Sequence, residues 1–130
     1  MSASIKSVLN KHGIVVTTND ASKQISIPPK ESGYGSSVNG GELLLLALAT
    51  CFCNDLYREA SKRNIAIAGV SVACTGEFGS EGEPGFNFRY TANVESDAPK
   101  AVIDELIRDT DQVAEIHNTL RKGINVTLEQ

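Results

Sequence analysis

Cations are scarce in this chain and they are scattered. Twelve Lys and Arg stand against sixteen Asp and Glu, for a formal net charge of -4 at pH 7. Binding to a phosphate backbone needs clustered Lys and Arg. The one concentration is the short stretch from Arg58 to Arg63, at what reads as a helix end, so a nucleic-acid partner is not expected. Long apolar runs are also missing. The longest, Leu43 to Cys53, falls short of the roughly 20 residues that cross a bilayer, which argues against a membrane partner. The opening Met1-Ser2-Ala3-Ser4 is polar and has no apolar secretion-signal core. Cysteines number only three. An odd count without framework spacing excludes a set of structural disulfides. It points to free or redox-active thiols in a reducing compartment, hence to the cytoplasm. The Cys51-Cys53 pair has no second Cys or His pair at ligand spacing, so neither a zinc site nor a cofactor is expected. No repeat or low-complexity tract interrupts the 130 residues, and a single domain spanning 1–130 is the expectation.

What is present reads as an α+β fold. Gly13 to Thr18 is rich in β-branched residues, Asn19-Asp20 signals a turn, and Gln24 to Ile27 alternates until Pro28-Pro29 stops it. A Gly- and Ser-rich loop follows from Lys30 to Gly41. Asn39 and Glu42 then have capping-box spacing ahead of an apolar helix. From Leu43 to Phe52 that helix is apolar on every side, so its first half should be buried all round, and beyond Asn54 it turns polar. In the next segment Val70, Val72, Cys74, Gly76 and Phe78 share one strand face. Phe86, Phe88, Tyr90, Ala92 and Val94 share a face of the returning strand. Asp97 is the expected N-cap of a helix with Pro99 in its first turn, and a break is expected near Asp109-Thr110-Asp111. Gly123 should stop the second short helix. Ile124, Val126 and Leu128 alternate as a final strand.

The stretch Gly41-Glu42-Leu43-Leu44-Leu45-Leu46-Ala47-Leu48-Ala49-Thr50-Cys51 resembles the signature of the OsmC/organic hydroperoxide resistance family. So do Tyr57-Arg58-Glu59-Ala60, Asn64 to Ile67 leading into Val70, and the tail from Asn118 to Leu128. Together these cover most of the chain beyond residue 40. The resemblance implies antiparallel sheets wrapped around long central helices in an intertwined homodimer. It also implies a role in the peroxide or oxidative-stress response, with small hydroperoxide substrates reduced by two cysteines and recycled by an external thiol. The first family cysteine falls on Cys51. The second falls on Ala114, so the resolving thiol is absent. The arginine and glutamate that polarise the first cysteine in one branch of the family also lack counterparts, with Gly41 at the glutamate's place. A one-cysteine reductase, or a non-enzymatic dimer holding a small apolar ligand at its interface, are the two readings.

Local chemistry bears on both. At about 100° per residue, Asn54, Asp55 and Arg58 share the Cys51 side of the helix. Asp55 would disfavour the thiolate that peroxide attack needs, and Arg58 is placed to pair with Asp55. Cys53 points about 200° from Cys51 and, like Cys74, reads as a small core residue. Glu42 is either half of the helix cap or a supporting site residue. His117, three residues after Ala114, is either an acid/base or thiolate-stabilising neighbour of Cys51 or a satisfied core histidine.

Overall fold

The computed structural model describes residues 1–130, which form two compact units, Met1–Leu43 and Leu44–Gln130. The first unit is a three-stranded antiparallel sheet of β1 (Ser2–Val8), β2 (Lys11–Thr18) and β3 (Ala21–Ile25), in that spatial order. Asn19 and Asp20 take positive φ in the turn between β2 and β3, the conformation that short Asx side chains tolerate best. Ile5, Val8 and Ile25 remain largely exposed.

The second unit holds the core. Helix α1 (Gly40–Lys62) leads into the hairpin β4 (Gly69–Glu77) and β5 (Phe86–Glu95), then α2 (Lys100–Val113) and α3 (Glu115–Lys122). Antiparallel pairing sets Val70 opposite Val94, Val72 opposite Ala92 and Cys74 opposite Tyr90. All six are half-buried, so the expected apolar faces are the observed ones at these positions, whereas Phe78, Phe86 and Phe88 toward the turn are exposed. Phe52, Leu56 and Ala60 of α1 pack with Ile103 and Leu106 of α2 and with Ala114. Each fully buried large apolar side chain here stabilises by roughly 1.5–3 kcal/mol.

The start of α1 follows the sequence. The Asn39 main-chain N–H donates to Glu42 Oε2 at 2.8 Å, and the Glu42 N–H donates to Asn39 Oδ1 at 2.9 Å, a complete capping box. The burial along α1 within one chain differs in part from the expected pattern, though Leu48 and Phe52 are buried. Leu43 and Leu46 are exposed, whereas Asp55, Leu56, Glu59 and Ala60 in the polar half are buried. The apolar half of the helix has more greasy surface than one chain covers. The polar half is buried because the hairpin and α2 pack there.

Three further expectations are corrected. Pro99, not Asp97, is the N-cap residue of α2, and no side chain caps it. Ser96 instead accepts from the Ala98 N–H and donates to the Ala66 carbonyl. The helix runs on through Asp109–Asp111 because Thr110 is fully buried and its hydroxyl donates to the Leu106 carbonyl at 2.7 Å. The break comes instead at Ala114, whose backbone is extended. Gly123 does end α3, in the left-handed conformation with φ 67°. The residues after it form no strand in the single chain and are exposed.

Gly76 sits at a register shift of the hairpin, between Thr75 and Glu77. A Cβ there would lie 2.6 Å from the ring of Phe88. The missing side chain is what lets that ring lie over the backbone. Gly76→Ala is expected to cost about 1–3 kcal/mol, read as a lower denaturant midpoint with an unchanged slope. A midpoint equal to that of the parent chain would contradict this packing.

Candidate functional site

Cys51 stands in the middle of α1, one helical turn before Asp55. Its thiol donates to Asp55 Oδ2 at 3.3 Å. The other carboxylate oxygen of Asp55 forms an ion pair with Arg58 Nη1 at 2.9 Å. Arg58 also reaches Glu115 of α3 at 3.2 Å and Glu59 at 3.0 Å, and Lys62 joins Glu59 at 3.0 Å. Asp55 and Glu59 are both buried, and buried carboxylates need such partners. The ligand atoms of Cys51, Asp55 and Glu115 lie within 4.8 Å of one another. Three carboxylates, Asp55, Glu59 and Glu115, here face two cations, Arg58 and Lys62.

These surroundings hold Cys51 as a neutral thiol. Burial pushes its pKa up, a hydrogen bond from the Ile116 main chain pulls it down, and the Asp55 and Glu115 charges raise it further. The net direction is upward, opposite to what thiolate chemistry favours. The expected placement of Asp55 and Arg58 on the Cys51 side is the observed one. Glu115 is a member that spacing along α1 does not reveal, because it arrives from a separate helix. Cys53 and Cys74 are half-buried free thiols, rather than fully buried core residues.

His117 is buried at 4% exposure, and neither ring nitrogen has a hydrogen-bond partner. Its ring packs on Phe52, centroids 5.5 Å apart, and on Tyr90, 4.6 Å apart. It is thus a core histidine, though not a satisfied one, and no hydrogen bond joins it to Cys51. Burial lowers its pKa and the Arg121 charge adds to this, while Asp111 and Asp55 oppose it. Beside it the Tyr90 hydroxyl donates to Asp111, which also pairs with Arg121 at 2.6 Å. Burial and the Asp111 carboxylate push the Tyr90 pKa up to about 12, so Tyr90 stays a donor. Leu48, Phe88, Arg89, Tyr90, His117, Leu120 and Arg121 line an open pocket of about 230 Å³. Glu42 is engaged in the cap of α1.

The family model described as OsmC-like protein matches residues 33–129. The chain belongs to this OsmC-like family. Its fold is similar to that of an OsmC-like protein from Mycoplasma pneumoniae. The two share 22% identity over 100% of this chain and 99% of that one, with a TM-score of 0.63. It is also similar to an organic hydroperoxide resistance protein OsmC from Legionella pneumophila (18% identity, 98% and 95% covered, TM-score 0.60). A third similar structure is an organic hydroperoxide resistance protein from Elizabethkingia anophelis (17% identity, 97% and 92% covered, TM-score 0.61). No curated protein matches the sequence. No helix is long and apolar enough to cross a membrane.

Within this OsmC-like frame, the segment Ala114–Ile116 packs beside Cys51 through Glu115 and Ile116. A carboxylate that accepts the thiol proton stabilises the protonated form. Asp55→Asn is therefore expected to speed alkylation of Cys51 near neutral pH roughly five- to tenfold. It should also cost about 1–3 kcal/mol, because Arg58 loses a charged partner. In the parent chain the alkylation rate should keep climbing with pH beyond the point where an ordinary thiol levels off, since the folded pKa is raised. Timed alkylation with mass-spectrometric mapping reads both. An Asp55→Asn rate no faster than the parent's would show that Asp55 does not hold the proton.

Proposed function

We propose that this chain acts in the peroxide or oxidative-stress response as a one-cysteine, thiol-dependent hydroperoxide reductase. The observation that carries the reading is the placement of Cys51. It lies in the Glu42–Cys51 stretch that resembles the family signature, inside a matched region that covers most of the chain. The segment that would bring a second cysteine reaches Cys51 with Ala114 in that place.

The chemistry follows from the residues. Cys51 must first lose its proton, with Asp55 as the acceptor within reach. The thiolate sulfur attacks the terminal peroxide oxygen and the O–O bond breaks. The alkoxide leaves as an alcohol after taking a proton, and Cys51 is oxidised to sulfenic acid. With no second cysteine at the resolving position, an external thiol condenses with the sulfenic acid and releases water. A second thiol then frees Cys51 and departs in a disulfide. The raised thiol pKa implies slow turnover. Glu42 and His117 are supporting residues only in the sense of holding α1 and the wall beside it. No cofactor enters this scheme.

The same reading takes the chain 1–130 as one domain completed by a second copy, a homodimer in the cytoplasm. Leu43, Leu46 and Tyr57 leave an exposed apolar stripe along α1, and Ile124, Val126 and Leu128 are exposed beyond α3. Apolar surface of this extent marks an interface. The second reading, a non-enzymatic dimer with a small apolar ligand, is favoured by the cavity beside His117.

Two measurements test the proposal. After hydroperoxide treatment Cys51 should be trapped as sulfenic acid and no intramolecular disulfide should form, whereas Ala114→Cys should form one with Cys51. Failure to trap Cys51, or a native disulfide from Cys51 to Cys53 or Cys74, would refute the one-cysteine scheme. Light scattering on dilute folded protein should give a dimer. A folded monomer of about 14 kDa at micromolar concentration is incompatible with an obligate dimer.

A further inference from the structure

We propose that Arg58 carries the charge of the Cys51 thiolate: when Asp55 takes the thiol proton it releases the guanidinium, whose unbonded Nη2 N–H groups then turn to the sulfur. The inference rests on the reading above only in taking the Cys51 thiolate as the reacting species.

One carboxylate separates the two groups. Cys51 Sγ lies 3.3 Å from Asp55 Oδ2, and Arg58 Nη1 lies 2.9 Å from Asp55 Oδ1. Arg58 has two further anchors. Its Nε donates to Glu59 at 3.0 Å and its Nη1 donates to Glu115 at 3.2 Å. Nη2 makes no hydrogen bond. A guanidinium is a planar, permanently charged fork, so one arm stays open while the others hold. The Arg58 side chain is 39% exposed, and it can swing without unfolding the helix.

The proton transfer moves a negative charge without creating one. The S–H bond breaks, its electron pair stays on the sulfur, and the proton passes to Asp55 Oδ2. Before the transfer Asp55, Glu59 and Glu115 face Arg58 and Lys62. After it Glu59, Glu115 and the thiolate face the same two cations. Lys62 reaches only Glu59, so Arg58 is the cation one carboxylate away from the sulfur. A neutral Asp55 no longer holds the guanidinium by charge, and the new anion beside it does. From α3, Glu115 opposes the thiolate and the Ile116 main chain favours it. His117, which feels the Asp55 charge, is held neutral by burial. A single neutral N–H is a weaker partner for an anion than a charged donor, which leaves the larger share to Arg58.

The test uses Asp55→Asn, a permanently neutral stand-in for the protonated carboxylate, with and without Arg58→Gln in the full chain. Iodoacetamide alkylation of Cys51 is timed across pH, and Cys53 and Cys74 in the same digest report on the fold. The double substitution removes both members of the buried pair, so no lone buried charge is left behind. Adding Arg58→Gln to Asp55→Asn should slow Cys51 alkylation near neutral pH roughly tenfold and move its pH profile up by about one unit. Cys53 and Cys74 should not change. Arg58→Lys in the same background keeps the charge but loses the fork, and its Cys51 rate should fall between the two. The differences should persist in 1 M salt, where charges more than about 3 Å apart are screened. If Arg58 served only to neutralise Asp55, its loss would leave the Cys51 profile unchanged once Asp55 is already neutral. Equal profiles with and without Arg58→Gln would therefore overturn the proposal, as would a difference that vanishes in salt. Should Cys53 and Cys74 speed up with Arg58→Gln, the Lys variant decides, and a Cys51 rate equal to that of Asp55→Asn alone would overturn it. Sulfenic acid trapping in the parent chain is read separately. Its absence would sink the peroxide reaction, while the alkylation profiles would still decide on Arg58.

Discussion

Asp55 is a buried carboxylate with two donors, the Cys51 thiol on one oxygen and the Arg58 guanidinium on the other. A charge at 5% exposure is tolerated only when it is paired, and that requirement organises this end of the molecule. It fixes the rotamer of Arg58, which in turn reaches Glu115 and so ties α1 to the start of α3. The pairing also keeps the guanidinium on the carboxylate oxygens rather than on the sulfur. The result is a cysteine whose surroundings favour the thiol over the thiolate.

The core beside this network has two chemical characters. Phe52, Leu56 and Leu106 supply apolar burial of the ordinary kind. His117 packs edge-on against two aromatic rings yet leaves both nitrogens unpartnered. An apolar residue of similar shape at that position would avoid the desolvation penalty of an unpaired polar group. The thiol site and the pocket beside His117 lie on neighbouring parts of α1, with Cys51 in one and Leu48 in the other, and their chemistries are different.

Some elements were legible because the forces behind them are local. The capping box of α1 needs only Asn39 and Glu42 at the right spacing. The faces of β4 and β5 follow from alternation. The stop at Gly123 follows from a conformation glycine takes at little cost. The misplaced elements were decided at a distance. Asp109–Asp111 looked like a helix break, but burial of Thr110 and its bond to the Leu106 carbonyl carry the helix through. The residues after Gly123 alternate like a strand, but alternation supplies no pairing edge.

The same division applies to the site. The sequence alone determined that Asp55 and Arg58 share the helix side of Cys51, because one regular helix carries all three. It determined that the chain has only three cysteines, none of them beyond residue 74. Tertiary structure decided the rest. Glu115 joins the Arg58 network only because α3 begins against α1, a contact between residues far apart in the chain. His117 turns toward Phe52 and Tyr90 rather than forming a pair with Cys51, since its direction depends on how α3 packs and not on its spacing from residue 114. The burial of Asp55 and Glu59 in the polar half of α1, and the exposure of Leu43 and Leu46 in its apolar half, are not in the hydrophobic pattern read from the helix. Periodicity tells which residues share a face. It does not tell which face finds a partner, and that depends on where the hairpin and α2 come to rest.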